Sequence, residues 1–177
     1  MPRNVRIGLI QATTTHPGDT DPTVIKAAMI EKHLKFIEAA AAKGCQVVCL
    51  QELFYGPYFP AEQKPHWYAL TERIPEGPTT QLMCETAKRL GIVLIVPIYE
   101  VENTGVYYNT ASVIDADGTW LGKYRKSHIR TACPDSGRSS TSVPAISGIR
   151  FLRPPWAGSV SISAMTATSP KARAAWG

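Results

Sequence analysis

The run Gln46-Val47-Val48-Cys49-Leu50 is apolar at consecutive positions, and it directly follows a stretch, Thr23 to Lys43, whose apolar residues recur at helical spacing. A half-solvated strand alternates polar and apolar residues. A continuous apolar run bounded by a helix stop reads instead as a strand buried on both faces. Short buried strands alternating with helical stretches are the pattern of an α/β or layered α+β domain, and the rest of the front section keeps to it. Val5 to Ala12 is apolar and β-rich, and a Thr/Pro/Gly/Asp loop covers Thr13 to Pro22. The helical spacing then runs through Ile25, Ala28, Met29, Leu34, Ile37 and Ala41, and Gly44 supplies the stop.

Beyond Leu50, the sequence predicts helical stretches around Pro60 to Leu70 and Thr79 to Leu90. The second is opened by Gly77-Pro78-Thr79-Thr80 and closed by Gly91. Strands are expected over Ile92 to Glu100, Val106 to Asp115 and Thr119 to Tyr124, with Asp115-Ala116-Asp117-Gly118 as a hairpin turn. After Ile129 the texture changes: Ser, Thr, Pro, Gly, Ala and Arg dominate, and no period is sustained. The expected division is a folded domain over 1–129 and an irregular segment over 130–177, with the composition of a disordered tail. No internal repeat is present.

Composition narrows the function classes. The 177 residues, 44% of them hydrophobic, suffice for one core but not for most two-domain enzymes. The formal charge of +5 belongs to the tail, because the basic and acidic residues balance up to Ile129. That tail has no aromatic interleaving and no folded platform, so nucleic acid is not an expected partner. No apolar stretch reaches membrane-span length and the N-terminus has no signal-peptide pattern, so no membrane association and a cytoplasmic location are expected.

Cys45, Cys49, Cys84 and Cys133 are too few and scattered for a disulfide framework. Cys45 and Cys49, among apolar neighbours, read as core packing. His16, His33 and His66 lack metal-ligand spacing, and neither a Gly-rich phosphate loop nor a Gly-x-Ser-x-Gly elbow occurs. No cofactor or metal is expected.

Glu52 lies just past the buried strand, at the edge where α/β domains commonly carry functional groups; alone, it reads equally as a solvated strand end. Lys126 sits in a basic cluster with Lys123 and Arg125 at the end of a hairpin, which alone reads as a solvated face or a phosphate-attracting patch. His128 alone reads as a loop or core histidine.

The combination changes these readings. Ile7-Gly8-Leu9-Ile10-Gln11-Ala12, Cys49-Leu50-Gln51-Glu52-Leu53-Phe54, Gly77-Pro78-Thr79-Thr80, Tyr108-Asn109-Thr110-Ala111, Asp117-Gly118 and Gly122-Lys123-Tyr124-Arg125-Lys126-Ser127-His128 follow one another in order. This series resembles the nitrilase superfamily of carbon–nitrogen hydrolases from about Val5 to Ile129. Within it, Gln51 to Phe59 is most similar to the N-carbamoyl-amide amidohydrolases, the β-ureidopropionases and N-carbamoylputrescine amidases.

The resemblance implies the first half of a four-layer α-β-β-α sandwich. It also implies hydrolysis of a small linear amide or N-carbamoyl amine or amino acid, without metal or organic cofactor, in a family whose intact members form homo-oligomers. Glu52 then corresponds to the general base, Lys126 to the cation that meets the tetrahedral oxyanion, and His128 to a substrate-pocket candidate. The chemistry requires such groups: an amide or ureido carbonyl is a poor electrophile, so a thiol must be deprotonated by a nearby carboxylate and the oxyanion stabilised by a fixed positive charge.

The family's nucleophile is a cysteine some tens of residues beyond the lysine, in a context like G-V-x-I-C-Y-D. Cys133 is the only thiol after Lys126, and it lies in a Thr-Ala-Cys-Pro loop too close to that lysine to serve. Suppose Ser163 to Lys171 is encoded by TCT GCT ATG ACC GCC ACT TCC CCG AAG, a permitted choice at every codon. Moving the frame back one nucleotide behind an A then gives I-C-Y-D-R-H-F-P-E. Arg138 to Pro144 is likewise compatible with E-K-F-Y-F-R-P-G, and Ile149 to Pro155 with S-V-F-E-T-A. Three matches in order and in one frame imply a frame change near Ile129 and Arg130. The chain as written is therefore expected to lack its nucleophile and to show no turnover. The alternative expectation is a catalytically dead half-domain that associates with itself or with an intact homologue.

Overall fold

The computed structural model describes residues 4–58 and 64–127. His128, Cys133 and the whole segment 130–177 lie outside the described residues, as does the start of the helical stretch expected from Pro60.

Helix α1 (Pro22–Ala42) begins where Asp21 caps it, its carboxylate accepting from the Thr23 backbone N–H at 2.8 Å with Pro22 at the first turn. Its buried residues, Ile25, Met29, His33 and Ile37, recur every fourth position and form one stripe. Gly44, at φ +77°, takes the left-handed turn out of the helix that a residue with a Cβ would resist.

Five strands form one sheet in sequence order: β1 (Ile7–Leu9), β2 (Val47–Cys49), β3 (Val93–Asn103), β4 (Val106–Ile114) and β5 (Trp120–Arg125). The first three are parallel, joined through α1 and through α2 (Pro78–Leu90), and β3, β4 and β5 are antiparallel neighbours. The Asp115 to Gly118 turn closes as expected, with the Gly118 N–H donating to the Asp115 carbonyl at 3.0 Å.

Three elements differ from expectation. Only Ile7 to Leu9 of the run from Val5 to Ala12 is paired, because among the described residues β1 has one strand neighbour, β2, which offers three residues. Strand β3 runs past Glu100 to Asn103, because the two-residue connection Thr104-Gly105, with Gly105 at φ +81°, folds β4 back against its full length. Pro65–Leu70 is a 3₁₀ helix, whose three-residue period turns Trp67 and Leu70 inward together.

Both helices cover the same face of the sheet. Ile25, Met29 and Ile37 of α1 and Met83 and Ala87 of α2 pack with Val48, Leu94, Val96, Ile98 and Ile114 in one core. Along β3 the even-numbered residues therefore face the helices, and Val93 and Ile95 face the other way with Val47. On that second face Ile7 is 58% and Leu9 76% exposed.

Candidate active site

Leu50 completes the approach to the site by donating its N–H to the Ile95 carbonyl at 3.0 Å, continuing the β2–β3 pairing to the strand's carboxyl end. The chain then turns sharply. Leu53 has φ +51°, a conformation that costs an L-residue about 1–2 kcal/mol, and it is held there by burial of Leu53, Phe54 and Tyr55. The Tyr55 hydroxyl donates to the Leu70 carbonyl at 2.9 Å and accepts from the Tyr99 N–H at 3.1 Å, which fastens the turn to β3. Glu52, one residue before the strained position, is thereby fixed at the mouth of the sheet instead of swinging free as a solvated strand end.

Two donors reach its carboxylate. Lys126 Nζ lies 2.6 Å from Glu52 Oε1, and Asn109 Nδ2 lies 2.5 Å from the same oxygen. The Lys126 backbone N–H donates to the Asn109 carbonyl at 2.9 Å, so Asn109 touches both partners. Glu52 keeps 30% side-chain exposure and Lys126 12%. The Lys126 ammonium also stands 5.7 Å from the centre of the Tyr58 ring, within cation–π range. A carboxylate and an ammonium 74 positions apart in sequence are thus brought together, partly shielded from water, at the carboxyl end of a parallel strand pair.

The other two basic residues of the cluster go elsewhere. Arg125 donates to Glu100 through Nε at 2.9 Å and Nη2 at 2.7 Å, and Lys123 Nζ binds the same carboxylate, as does Thr110 Oγ1 at 2.7 Å. Glu100 is 1% exposed. Burial pushes its carboxyl up, but the hydrogen bonds from Arg125, Lys123 and Thr110 outweigh burial and hold it below the usual carboxylate range. Lys123 and Arg125 are therefore neither a solvated face nor a free phosphate patch; they anchor β5 to β3 from the helix side.

Reasoning from sequence singled out Glu52 and Lys126, and these are brought together. His128 and Cys133 lie outside the described residues, so their relation to the pair stands as an expectation. The sequence reading named Asn109 only within the Tyr108 to Ala111 motif and gave it no role, although an amide inside a strand flanked by Tyr and Thr is unusual enough to signal a specific bond. It passed over Glu100, a buried acid it read as a strand end.

Among the described cysteines, Cys45 packs against the main core and Cys49 against the smaller cluster of the opposite face. Burial pushes the Cys49 thiol up, which makes it a poor nucleophile. His33 is fully buried, with Nδ1 2.8 Å from the Met29 carbonyl and its ring edge-on to Phe54. Burial lowers its pKa, so it packs as a neutral imidazole behind the Glu52 turn. Among the described residues, no group of three or more His, Cys, Asp or Glu could hold a metal ion, and no helix is long and apolar enough to cross a membrane.

Comparison with known proteins adds an independent line. The carbon–nitrogen hydrolase family model matches residues 6–162, running past the boundary that the change of texture suggests at 129. An N-carbamoylputrescine amidase of Solanum lycopersicum is 41% identical over 110 residues, which are 62% of this chain and 35% of that protein. A β-ureidopropionase of Arabidopsis thaliana is 32% identical over 130 residues, 72% of this chain and 32% of its own length. The carbon–nitrogen hydrolase structure from Helicobacter pylori superposes with a TM-score of 0.61 at 28% identity, covering 71% of this chain and 40% of that one. The chain thus spans about a third of the length of these curated relatives.

Proposed function

The chain belongs to the carbon–nitrogen hydrolase family, and from that premise we propose that its site hydrolyses the C–N bond of a linear amide or an N-carbamoyl amine or amino acid. Glu52 acts as the general base toward a thiol nucleophile, Lys126 meets the oxyanion of the tetrahedral intermediate, and His128 contributes to the substrate pocket. The observation that carries this reading is the 2.6 Å contact between the Glu52 carboxylate and the Lys126 ammonium, the two groups to which the family resemblance gives complementary roles. A base and a cation at this separation, shielded on one side by protein, are what acyl transfer from a poor electrophile needs. The N-carbamoyl preference draws support from the amidase and ureidopropionase relatives.

In this reading the nucleophile belongs to the shifted frame of the segment after Ile129, and the protein as written does not turn over. The intact enzyme forms homo-oligomers in the cytoplasm and takes neither nucleic acid nor membrane as a partner. The test begins with the nucleotide sequence across the codons for Ile129 and Arg130, read from independently prepared DNA. Restoration of one base there is expected to give a protein that releases ammonia from N-carbamoyl-β-alanine or N-carbamoylputrescine, while Glu52→Gln and Lys126→Met each lower kcat by at least about 10²-fold. A restored protein that is inert toward both substrates and toward simple ω-amides would sink the hydrolase reading.

A second reading is favoured by the exposure of Ile7 and Leu9 on the sheet face away from the helices. It is a half-domain without turnover that associates with itself or a homologue through that face. Sedimentation of the protein as written separates the two: a monomer that stays soluble at high concentration argues against association.

A further inference from the structure

Both donors to Glu52 converge on one oxygen. Lys126 Nζ and Asn109 Nδ2 each bind Oε1, so among the described residues Oε2 is the carboxylate oxygen without a donor. A carboxylate bonded through one oxygen only to a mobile ammonium can rotate, and the ammonium can slide to the second oxygen. Glu52 is denied both motions by an amide in a different place. Asn109 is 4% exposed on β4, between β3 and β5 and directly opposite Tyr99 of β3, and its backbone carbonyl holds the backbone N–H of Lys126 at 2.9 Å. The geometry also selects the residue type. An ionised carboxylate only accepts, so Asn109 must turn its NH₂ toward Glu52, and an aspartate in its place would repel the base.

We infer that Asn109 is the positioning residue of this site: its side chain pins Oε1 of Glu52, its carbonyl pins the Lys126 backbone, and the pair of contacts reserves Oε2 for the proton taken from the nucleophile. This inference rests on the assignment of Glu52 as base and Lys126 as oxyanion cation. It goes beyond that assignment by naming which oxygen does the chemistry and what keeps the cation from occupying it.

The test needs no turnover. The full 177-residue chain is trace-labelled with acetic anhydride, and the acetylation rates of Lys126, Lys123 and Lys26 are read by peptide mass spectrometry relative to the exposed Lys35. Asn109→Leu is expected to lower the Lys126 rate by roughly three- to tenfold, because the ammonium, no longer sharing Oε1 with the amide and free to reach Oε2, gains about one charge-assisted hydrogen bond. Lys123 and Lys26, whose partners are Glu100 and Glu72, should keep their rates. In a Glu52→Gln background, Asn109→Leu should add nothing, because Asn109 acts through Glu52.

An unchanged Lys126 rate in Asn109→Leu, a rise confined to Lys126, or the same decrease in both backgrounds overturns the inference. If Asn109→Leu unfolds the chain, all three lysines will reach the rate of Lys35; Asn109→Ser, polar but too short to reach Oε1, is then read by the same criteria. In a frame-restored, active protein the substitution should lower kcat with KM within about twofold, as loss of a bond needed in the transition state does. Failure of ammonia release with the labelling result intact removes the hydrolase reading alone, and the converse removes only the role of Asn109.

Discussion

Replacing Glu100 by glutamine removes a negative charge from a position that is 1% exposed and surrounded by donors. Arg125 supplies two of them, at 2.9 and 2.7 Å, Thr110 a third at 2.7 Å and Lys123 a fourth. Glutamine keeps one acceptor oxygen and points an NH₂ at the two cations. Breaking a buried ion pair from one side costs about 3–5 kcal/mol, because the remaining charge is left without compensation. Here the loss should fall near the lower end, about 3 kcal/mol. Lys123 and Arg125 keep 26% and 16% side-chain exposure, Arg125 retains Glu102 at 2.7 Å, and its guanidinium stacks 3.9 Å from the Tyr108 ring.

Urea unfolding followed by circular dichroism at pH 7, extrapolated linearly, measures the difference. The pH dependence tests its origin. The folded carboxyl lies below its unfolded value of about 4.3, so its stabilisation is fully present above that value. It disappears as the pH falls through the depressed folded pKa. The gap between wild type and Glu100→Gln should accordingly narrow between pH 7 and pH 3. A gap below about 1 kcal/mol at pH 7, or one that survives undiminished at pH 3, would refute the view that these ion pairs hold β5 in place.

Two further substitutions probe the frame around the site. Gly77→Ala would bring a Cβ within 2.5 Å of the Arg73 carbonyl and 2.6 Å of Glu72 Oε2. That carboxylate caps α2, accepting from the Thr79 N–H at 2.8 Å and the Thr79 hydroxyl at 2.5 Å, and also pairs with Lys26. The added methyl must displace the cap, and a loss of roughly 2 kcal/mol is expected in the same urea assay. Tyr55→Phe deletes the hydroxyl that joins the Leu70 carbonyl to the Tyr99 N–H. It should cost about 1–3 kcal/mol and loosen the Glu52 turn, seen as faster amide hydrogen exchange at Phe54 and Gly56 than in wild type.

What could be read from the chain beforehand was local. The span of α1 follows from its apolar period and the Gly44 stop, which act within a few residues, and the Asp21 cap then fixes its first turn. The hairpin at Asp115 to Gly118 is similarly self-contained. Strand limits were legible only where a partner was. Val5 and Ala12 have the composition of strand residues but no strand neighbour among the described residues, and β3 gains residues beyond Glu100 because β4 is there to receive them. Among site residues, Glu52 and Lys126 were accessible through an ordered series of motifs. Asn109 and Glu100 were not singled out, since the meaning of a polar residue in a strand lies in what stands across the sheet from it. The side-chain partner of Asn109, Glu52, is 57 positions away in sequence.

The basic cluster shows why alternation alone would have misassigned the site. Trp120 lies against Ile114 on the helix side, its indole N–H donating to Ser112 Oγ at 2.9 Å. Strict alternation from Trp120 would send Lys126 to that same side and would turn Lys123 and Arg125 toward the opposite face. The β4–β5 register slips by one residue between Val113 and Ile114, where Gly122, at φ +143°, pairs with Val113, and Trp120, not Leu121, pairs with Ile114. This one-residue bulge inverts every assignment after it. Lys123 and Arg125 turn in to Glu100, and Lys126 is delivered to Glu52. The position of the cation therefore depends on an irregularity two turns of the pleat before it, and glycine at 122 permits a backbone angle there that L side chains rarely adopt.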